Sequence, residues 1–280
     1  MTVSRVGILY HPRSPAAYSF ALEVKEFLTR RVGSLWVCSA WEEEKALAEA
    51  GGTGLIITVG GDGTILRAAQ MALKESIPIT GINLGRLGFM TELGAGEALS
   101  QLPSLLAGEG WLDERAMLEA ELEPKESGPS RVFQALNDVV VSRGEVARVL
   151  YIETSIDDRV CITYKADGVI VATATGSTGY SLAAGGPILH PQAPELILVP
   201  SLPHLSLGYP LVLPPATVMK FRVCTTHSAA LSIDGHINLP LRDGAVVTVR
   251  KSTSKVRFLR VHRETSFYST LERRLRGSAD

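Results

Sequence analysis

Leu55-Ile56-Ile57-Thr58-Val59 is an apolar, β-branched run that ends on Gly60-Gly61-Asp62-Gly63-Thr64. A strand without a polar face must be covered on both sides, the situation of a parallel sheet flanked by helices. The surrounding sequence keeps that rhythm. Short apolar runs at 6–10, 35–38 and 79–82 alternate with amphipathic stretches at 16–30, 41–50, 64–73 and 96–106. Ala17, Ala21, Val24 and Leu28 recur at helical spacing. The expectation is an α/β amino-terminal domain over residues 1–112, with parallel strands joined by crossover helices.

After Trp111 the pattern changes to strand-like runs at 117–122, 139–142, 151–156, 160–164, 169–172, 218–223, 245–250 and 256–261. Most are separated by turn formers, which predicts a β-rich, antiparallel, sandwich-like domain over 113–262. Residues 123–130 read as an exposed hairpin loop, and 263–280 as a returning tail, helical over 267–274, that packs on the first domain. Apolar residues make up 45% of the chain and charged residues 20%, which permits a sizeable core and excludes the composition of disorder. A net charge of −1 offers no global field to nucleic acid or to an anionic membrane. Cys38, Cys161 and Cys224 are widely spaced and odd in number, so neither a disulfide framework nor a CxxC pair is available. A reducing, cytoplasmic setting is expected. The opening apolar run stops at His11-Pro12, too short for a secretory core, and 196–215 carries five prolines and no uninterrupted stretch able to span a bilayer as a helix.

Three glycine-rich segments carry the chemistry. The GGDGT segment sits at a strand-to-helix junction, where open parallel sheets bind ligands. Glycines let backbone N–H groups approach an anion, and the helix start adds a positive dipole end, so Gly60, Gly61, Gly63 and Thr64 are candidate phosphate contacts. The segment is neither GxGxxG nor GxxxxGK[ST], and it holds no lysine. A carboxylate among phosphates must handle a proton or a cation, which makes Asp62 a candidate general base or hydroxyl-orienting group. A helix N-cap is the alternative role. Asn83-Leu84-Gly85-Arg86-Leu87-Gly88-Phe89 follows the next strand and offers Arg86 to phosphate. Thr173 to Pro187 is dense in hydroxyls and glycine and contains Tyr180, a supply of short donors and a stacking face for a base or sugar. A helix is expected over 177–184. Asn137-Asp138, Lys165-Ala166-Asp167-Gly168 and Asp234-Gly235-His236 each read alone as β-turns. The histidines show no HExxH or paired ligand spacing, so no protein-built metal site is expected, and the lack of GxSxG removes the usual α/β-hydrolase signal.

Taken in order, GGDGT, NLGRLGF, Asn137-Asp138, Lys165-Ala166-Asp167-Gly168, TGSTGYSLAAGGPI from Thr175 and Asp234-Gly235 resemble the NAD kinase family, the inorganic polyphosphate/ATP-NAD kinases of bacteria. Diacylglycerol kinases, sphingosine kinases and phosphofructokinases share similar GGDG loops; the TGST segment joined to it is specific. The resemblance implies transfer of a phosphoryl group from ATP, or polyphosphate, to the 2′-hydroxyl of the adenosine ribose of NAD, giving NADP. It also implies Mg²⁺ or another divalent cation with the ATP, and a homodimer or homotetramer. By the same resemblance Asp62 is catalytic and, with Gly63, lies against NAD. Asn137 and Asp138 hold adenine or ribose groups, and Asp167 reaches the nicotinamide carboxamide. Arg148, Lys165, Thr175, Thr178, Gly179, Tyr180, Ser181, Leu182, Ala183 and His236 fall at matching NAD-binding positions.

Two positions depart from the family pattern. Gly179 stands where alanine is usual, and His236 where many bacterial relatives carry glutamine. Histidine in general changes charge near neutral pH, so the resemblance leads to an expectation of pH-dependent NAD affinity. Two rival readings are a lipid kinase built on the same loop, for which no basic membrane-facing patch is evident, and a non-catalytic NAD(P)-binding sensor, against which the intact Asp62 argues.

Overall fold

The computed structural model describes residues 3–85, 88–124, 128–145, 149–204, 208–262 and 266–275. It divides into two compact units, Met1–Glu114 with Lys255–Asp280, and Arg115–Ser254.

In the first unit β1 (Arg5–Tyr10), α1 (Pro15–Leu28), β2 (Ser34–Ser39), α2 (Glu43–Glu49), β3 (Leu55–Val59), α3 (Asp62–Ala72), β4 (Ile79–Asn83), β5 (Leu93–Gly94) and α4 (Ala95–Ala107) succeed one another. The strands pair in parallel in the order β2-β1-β3-β4, and every residue of β3 is buried, as its lack of a polar face requires. Ser14 caps α1 by accepting from the Ala17 N–H, and Pro15 occupies the first turn, where a missing N–H costs nothing. The expected stripe Ala17, Ala21, Val24, Leu28 is the buried face of α1 and packs with Val6, Ile8, Leu55 and Ile57 of the sheet.

The second unit contains β6 (Trp111–Leu122) from Arg115 onward, β7 (Arg131–Ala135), β8 (Asp138–Arg143), β9 (Leu150–Ile156), β10 (Arg159–Ala166), β11 (Gly168–Ala172), a 3₁₀ turn over Gly176–Thr178, the single turn α5 (Tyr180–Ala183), β12 (Leu196–Ser201), β13 (Leu211–Leu213), β14 (Met219–Cys224), β15 (Ala229–Ile233) and β16 (Ile237–Leu241). β17 (Val246–Arg260) begins in this unit and ends in the first, ahead of the return expected at residue 263; α6 (Ser266–Leu275) follows in the first unit. One sheet has the antiparallel order β13-β12-β11-β8-β15-β16. The other includes the antiparallel series β10-β9-β14-β17 and the β6–β7 hairpin, in which Leu122 opposes Arg131 as the expected loop requires. Period-two alternation sorts Val139 and Val141 into a core with Ile152, Phe221, Leu231 and Val247, while Val140 packs on the opposite face with Ile170 and Val199.

Three local expectations change. The two strands expected at 245–250 and 256–261 are one strand, because the polar Lys251-Ser252-Thr253-Ser254-Lys255 stretch contains no glycine or proline to break it, and Lys255 and Arg257 pair with Glu114 at 2.8 and 3.2 Å. The helix expected over 177–184 is only a 3₁₀ turn and one α turn, interrupted at Gly179. Asp167 does not close a hairpin: it carries the chain from β10 in one sheet to β11 in the other. Pro200 is tolerated inside β12 because β13 pairs only with Leu196 to Leu198.

Trp36 lies across Gly7, its register partner in β1, and donates from Nε1 to Thr53 Oγ1 at 2.9 Å; a Cβ on Gly7 would fall within the indole. Gly7→Ala is expected to cost about 1–3 kcal/mol by overpacking, read as a lower denaturation midpoint. Gly51→Ala, where a Cβ meets nothing within 4 Å, is the control and should be close to neutral.

Candidate active site

At the end of β3, Gly60 has φ +154°, and a Cβ there would collide with the Thr64 hydroxyl. Its N–H donates to Ile82 O at 2.9 Å, which ties the loop to β4. α3 then starts at Asp62. Gly61 and Gly63 are exposed, with nothing within 4 Å of a would-be Cβ, so an anion can reach their backbone without a clash. Thr64 is different. Its side chain is fully buried and its hydroxyl has no partner among the described residues, so it supports the turn from inside.

The Asp62 carboxylate accepts from the Phe89 N–H at 2.9 Å through Oδ2 and from the Met90 N–H at 3.1 Å through Oδ1. The Gly88 N–H donates to Thr91 Oγ1 at 2.6 Å, and a Cβ on Gly88 would overlap the Asp62 carboxylate. The two glycine-rich loops are therefore joined through Asp62. An N-cap bond from its side chain is not what Asp62 makes; it is the first residue of the helix. Arg86 lies outside the described residues. Sequence reading missed a neighbouring group at the ends of β1 and β2. His11, whose Cβ lies 3.2 Å from a would-be Cβ on Gly60, meets Trp41 edge-on at 4.6 Å, and Arg67 of α3 lies over the Trp41 ring at 4.3 Å.

In the second unit the organising group is Asp234, part of the family resemblance but not among the expected binding residues. The hairpin joining β15 to β16 turns at Asp234 and Gly235, with φ +48° and +69°, which is type I′ geometry. The Asp234 carboxylate accepts three backbone N–H groups, from Leu136 at 2.8 Å, Asn137 at 2.7 Å and Asp138 at 3.1 Å. Thr173 fixes the same segment from the other side, donating from Oγ1 to Leu136 O at 2.6 Å and from its N–H to Asn137 O at 2.9 Å. Gly176 packs on the Asn137 backbone, leaving no room for a Cβ. Asn137, Asp138 and the 175–181 segment are thus one constellation. Within it Asn137 Oδ1 and Ser181 Oγ are buried and have no partner among the described residues, while Thr178 Oγ1 donates to Thr175 O at 3.3 Å. Buried Arg115, unforeseen from sequence, reaches Thr175 Oγ1 at 3.4 Å. His236 joins this group through its turn, with Nδ1 3.3 Å from Asp234 O.

Asp167 stands apart from the constellation, ion-paired to Arg143 at 3.0 Å, but shares with Tyr180, Ser142, Gly168 and Leu202 a cavity of about 360 Å³. Tyr180 is half exposed and Leu182 and Ala183 are accessible on the same turn. Lys165 has its Nζ 5.8 Å from the centre of the Tyr151 ring. Arg148 lies outside the described residues. Among the described residues, no group of three or more His, Cys, Asp or Glu side chains could hold a metal ion, and no helix is long and apolar enough to cross a membrane.

Burial raises the pKa of both Asp138 and Asp234. At Asp234 three N–H bonds oppose the rise, whereas at Asp138 the charge of Asp234 adds to it and brings the value to about 7. Asp138 takes up a proton as pH falls through about 7. Its folded pKa lies above the unfolded value of about 3.9, so the folded state binds the proton more tightly and loses stability as pH rises between about 4 and 7. In ligand-free protein Asp138→Asn should abolish that loss, leaving the variant more stable than the wild type by on the order of 1–3 kcal/mol at pH about 8 and by much less at pH about 5. Parallel pH dependence of the two unfolding midpoints would refute it.

Two family models match the chain. The ATP-NAD kinase N-terminal domain covers residues 36–110, and the ATP-NAD kinase C-terminal domain covers 136–261. A NAD kinase of Dehalococcoides mccartyi is 48% identical over 274 residues, covering 98% of this chain and 96% of the relative. One from Chloroflexus aurantiacus is 39% identical over 280 residues, covering 99% and 100%. Among solved structures, yeast NADH kinase complexed with NADH aligns with a TM-score of 0.83 at 26% identity, covering all of this chain and 89% of the other. An NAD kinase from Archaeoglobus fulgidus in complex with ATP aligns with a TM-score of 0.78 at 25% identity, covering 96% and 98%. The chain, matched in both of its halves and along nearly its whole length, belongs to the ATP-NAD kinase family.

Proposed function

We propose that this chain transfers the terminal phosphoryl group of ATP to the 2′-hydroxyl of the adenosine ribose of NAD, giving NADP, with Asp62 orienting that hydroxyl and accepting its proton. The observation that carries the reading is the state of the Asp62 carboxylate. A carboxylate has about four lone-pair directions, and the Phe89 and Met90 N–H groups use two of them, one on each oxygen. A hydroxyl can take a third without breaking the loop. Phosphoryl transfer asks for positioning and charge stabilisation, which the open amides of Gly61 and Gly63 at the start of α3 offer to phosphate oxygens. Those amides read phosphate and not a base, so inorganic polyphosphate is a chemically reasonable second donor.

NAD is assigned to the second unit. Asn137 and Ser181 bring buried oxygens without a partner among the described residues, Asp138 a carboxyl that titrates near neutrality, and Thr175, Thr178 and Gly179 the adjoining backbone and hydroxyls. Asp167 and Tyr180, lining one cavity, are assigned to the nicotinamide end. Asp138 supplies a reason for pH-dependent NAD affinity that does not require His236. A divalent cation, Mg²⁺ in the first instance, enters with the donor. Its role is to neutralise phosphate charge, and a donor set of phosphates with a single nearby carboxylate fits the way Mg²⁺ is ordinarily held. The same reading takes the protein as a cytoplasmic homodimer or homotetramer. The free cysteines Cys38, Cys161 and Cys224 suit a reducing compartment, and the assembly is carried over from the family resemblance.

Purified protein with NAD, ATP and Mg²⁺ should yield NADP, detected by an NADP-specific dehydrogenase, with polyphosphate in a parallel reaction and diacylglycerol as a control acceptor. Asp62→Asn should lower kcat by at least ~10²-fold while NAD binding changes by less than about threefold. Near-normal turnover in that variant would remove Asp62 from the mechanism.

A further inference from the structure

We propose that Arg260 is a positioning residue for phosphoryl transfer, acting on Asp62 through the backbone of Met90; the assignment rests on the reading of Asp62 above. Met90 is the link. Its N–H donates to Asp62 Oδ1 at 3.1 Å, and its carbonyl accepts from Arg260 Nη1 at 2.8 Å. The same guanidinium donates from Nε to Asp113 at 3.2 Å and from Nη1 to Glu92 at 3.2 Å. Arg260, Asp113 and Glu92 are only 5%, 2% and 7% exposed, so these bonds are shielded from water.

The arginine is itself held in place on both sides. Phe258 pairs with Ile79 of β4, and the Thr80 hydroxyl donates to Leu259 O at 2.9 Å. After Arg260, the Val261 and His262 N–H groups donate to the second oxygen of Glu92 at 2.8 and 2.7 Å. Glu92 in turn donates its N–H to Gly81 O at 2.8 Å, closing the frame on β4. The 88–92 segment is therefore gripped by Asp62 on its N–H side and by Arg260 on its carbonyl side. Only a planar fork satisfies these acceptors together. A lysine supplies the charge that Asp113 and Glu92 require but has one nitrogen in place of the fork. Removing the charge altogether would strand two buried carboxylates and unfold the region, which makes Arg260→Lys the informative variant.

The test compares wild type, Arg260→Lys, Asp62→Asn and the double variant. Arg260→Lys should lower kcat at least ~10-fold with the KM for NAD within about twofold, and in the Asp62→Asn background the same change should cost less than about twofold, because the two residues act through one contact chain. Amide hydrogen exchange at Phe89 and Met90 should quicken by at least ~10-fold in Arg260→Lys, with the core strands β1 and β3 unaffected. Wild-type kcat, equal losses in both backgrounds, or unchanged exchange at these two amides would each overturn the proposal. If Arg260→Lys does not fold, Asp113→Asn, which keeps the cation and weakens one anchor, should show the same pattern in smaller measure, and a wild-type kcat and exchange there would overturn it. Absence of NADP formation by the wild type would defeat the functional reading alone, since the exchange measurement decides without turnover whether Arg260 holds the loop.

Discussion

The structure of the first unit's site depends on one carboxylate bonded to another loop's backbone. Asp62 could not accept the Phe89 and Met90 N–H groups unless β3 and β4 ran in parallel and ended at the same edge, and unless position 88 lacked a side chain. Each requirement reaches back into the sequence. The unbroken apolar run of β3 forces a two-sided sheet, Gly60 turns the chain where a Cβ would meet Thr64, and Gly88 leaves room for the carboxylate. A buried or half-buried carboxylate is costly without donors, and backbone N–H groups meet that cost while organising the loop that carries them.

Asp234 repeats the device in the second unit with three N–H groups. There the consequence is electrostatic as well as geometric. Burial raises the pKa of both aspartates; the backbone donors oppose that rise at Asp234, while the charge of Asp234 adds to it at Asp138, which lies in the segment that Asp234 holds. The two aspartates of this constellation are unlike in surroundings although alike in type: Asp234 accepts three backbone N–H groups, whereas burial and the charge of Asp234 bring Asp138 to about 7. Such separation of neighbouring carboxyl groups by environment is characteristic of sites that bind or move protons.

Much of this was legible from sequence because it is local. The parallel unit, the α1 stripe, the hairpin at 123–130 and the strand-to-helix placement of GGDGT all follow from periodicity and glycine placement within a few residues. The order of the glycine-rich segments carried the family. What escaped is long-range or depends on an absent signal. The Lys251 to Lys255 stretch looks like a turn by polarity, yet nothing in it stops a strand. Asp234-Gly235 reads as a turn and is one, but no local pattern tells that its carboxylate reaches three residues on another strand. Arg260 looks like an ordinary exposed strand residue and is instead buried against Met90, Glu92 and Asp113. Thr64, expected at the phosphate, is packed inside the turn.

On the proposed reading the terminal phosphoryl group of the donor passes to one particular hydroxyl. The most direct measurement is to supply ATP labelled in its terminal phosphate with NAD and the purified protein, and to locate the label in the isolated nucleotide product by phosphorus NMR. The account predicts label in a monoester on the 2′-oxygen of the adenosine ribose. Label found only in inorganic phosphate, or in an ester at any other hydroxyl, would contradict it.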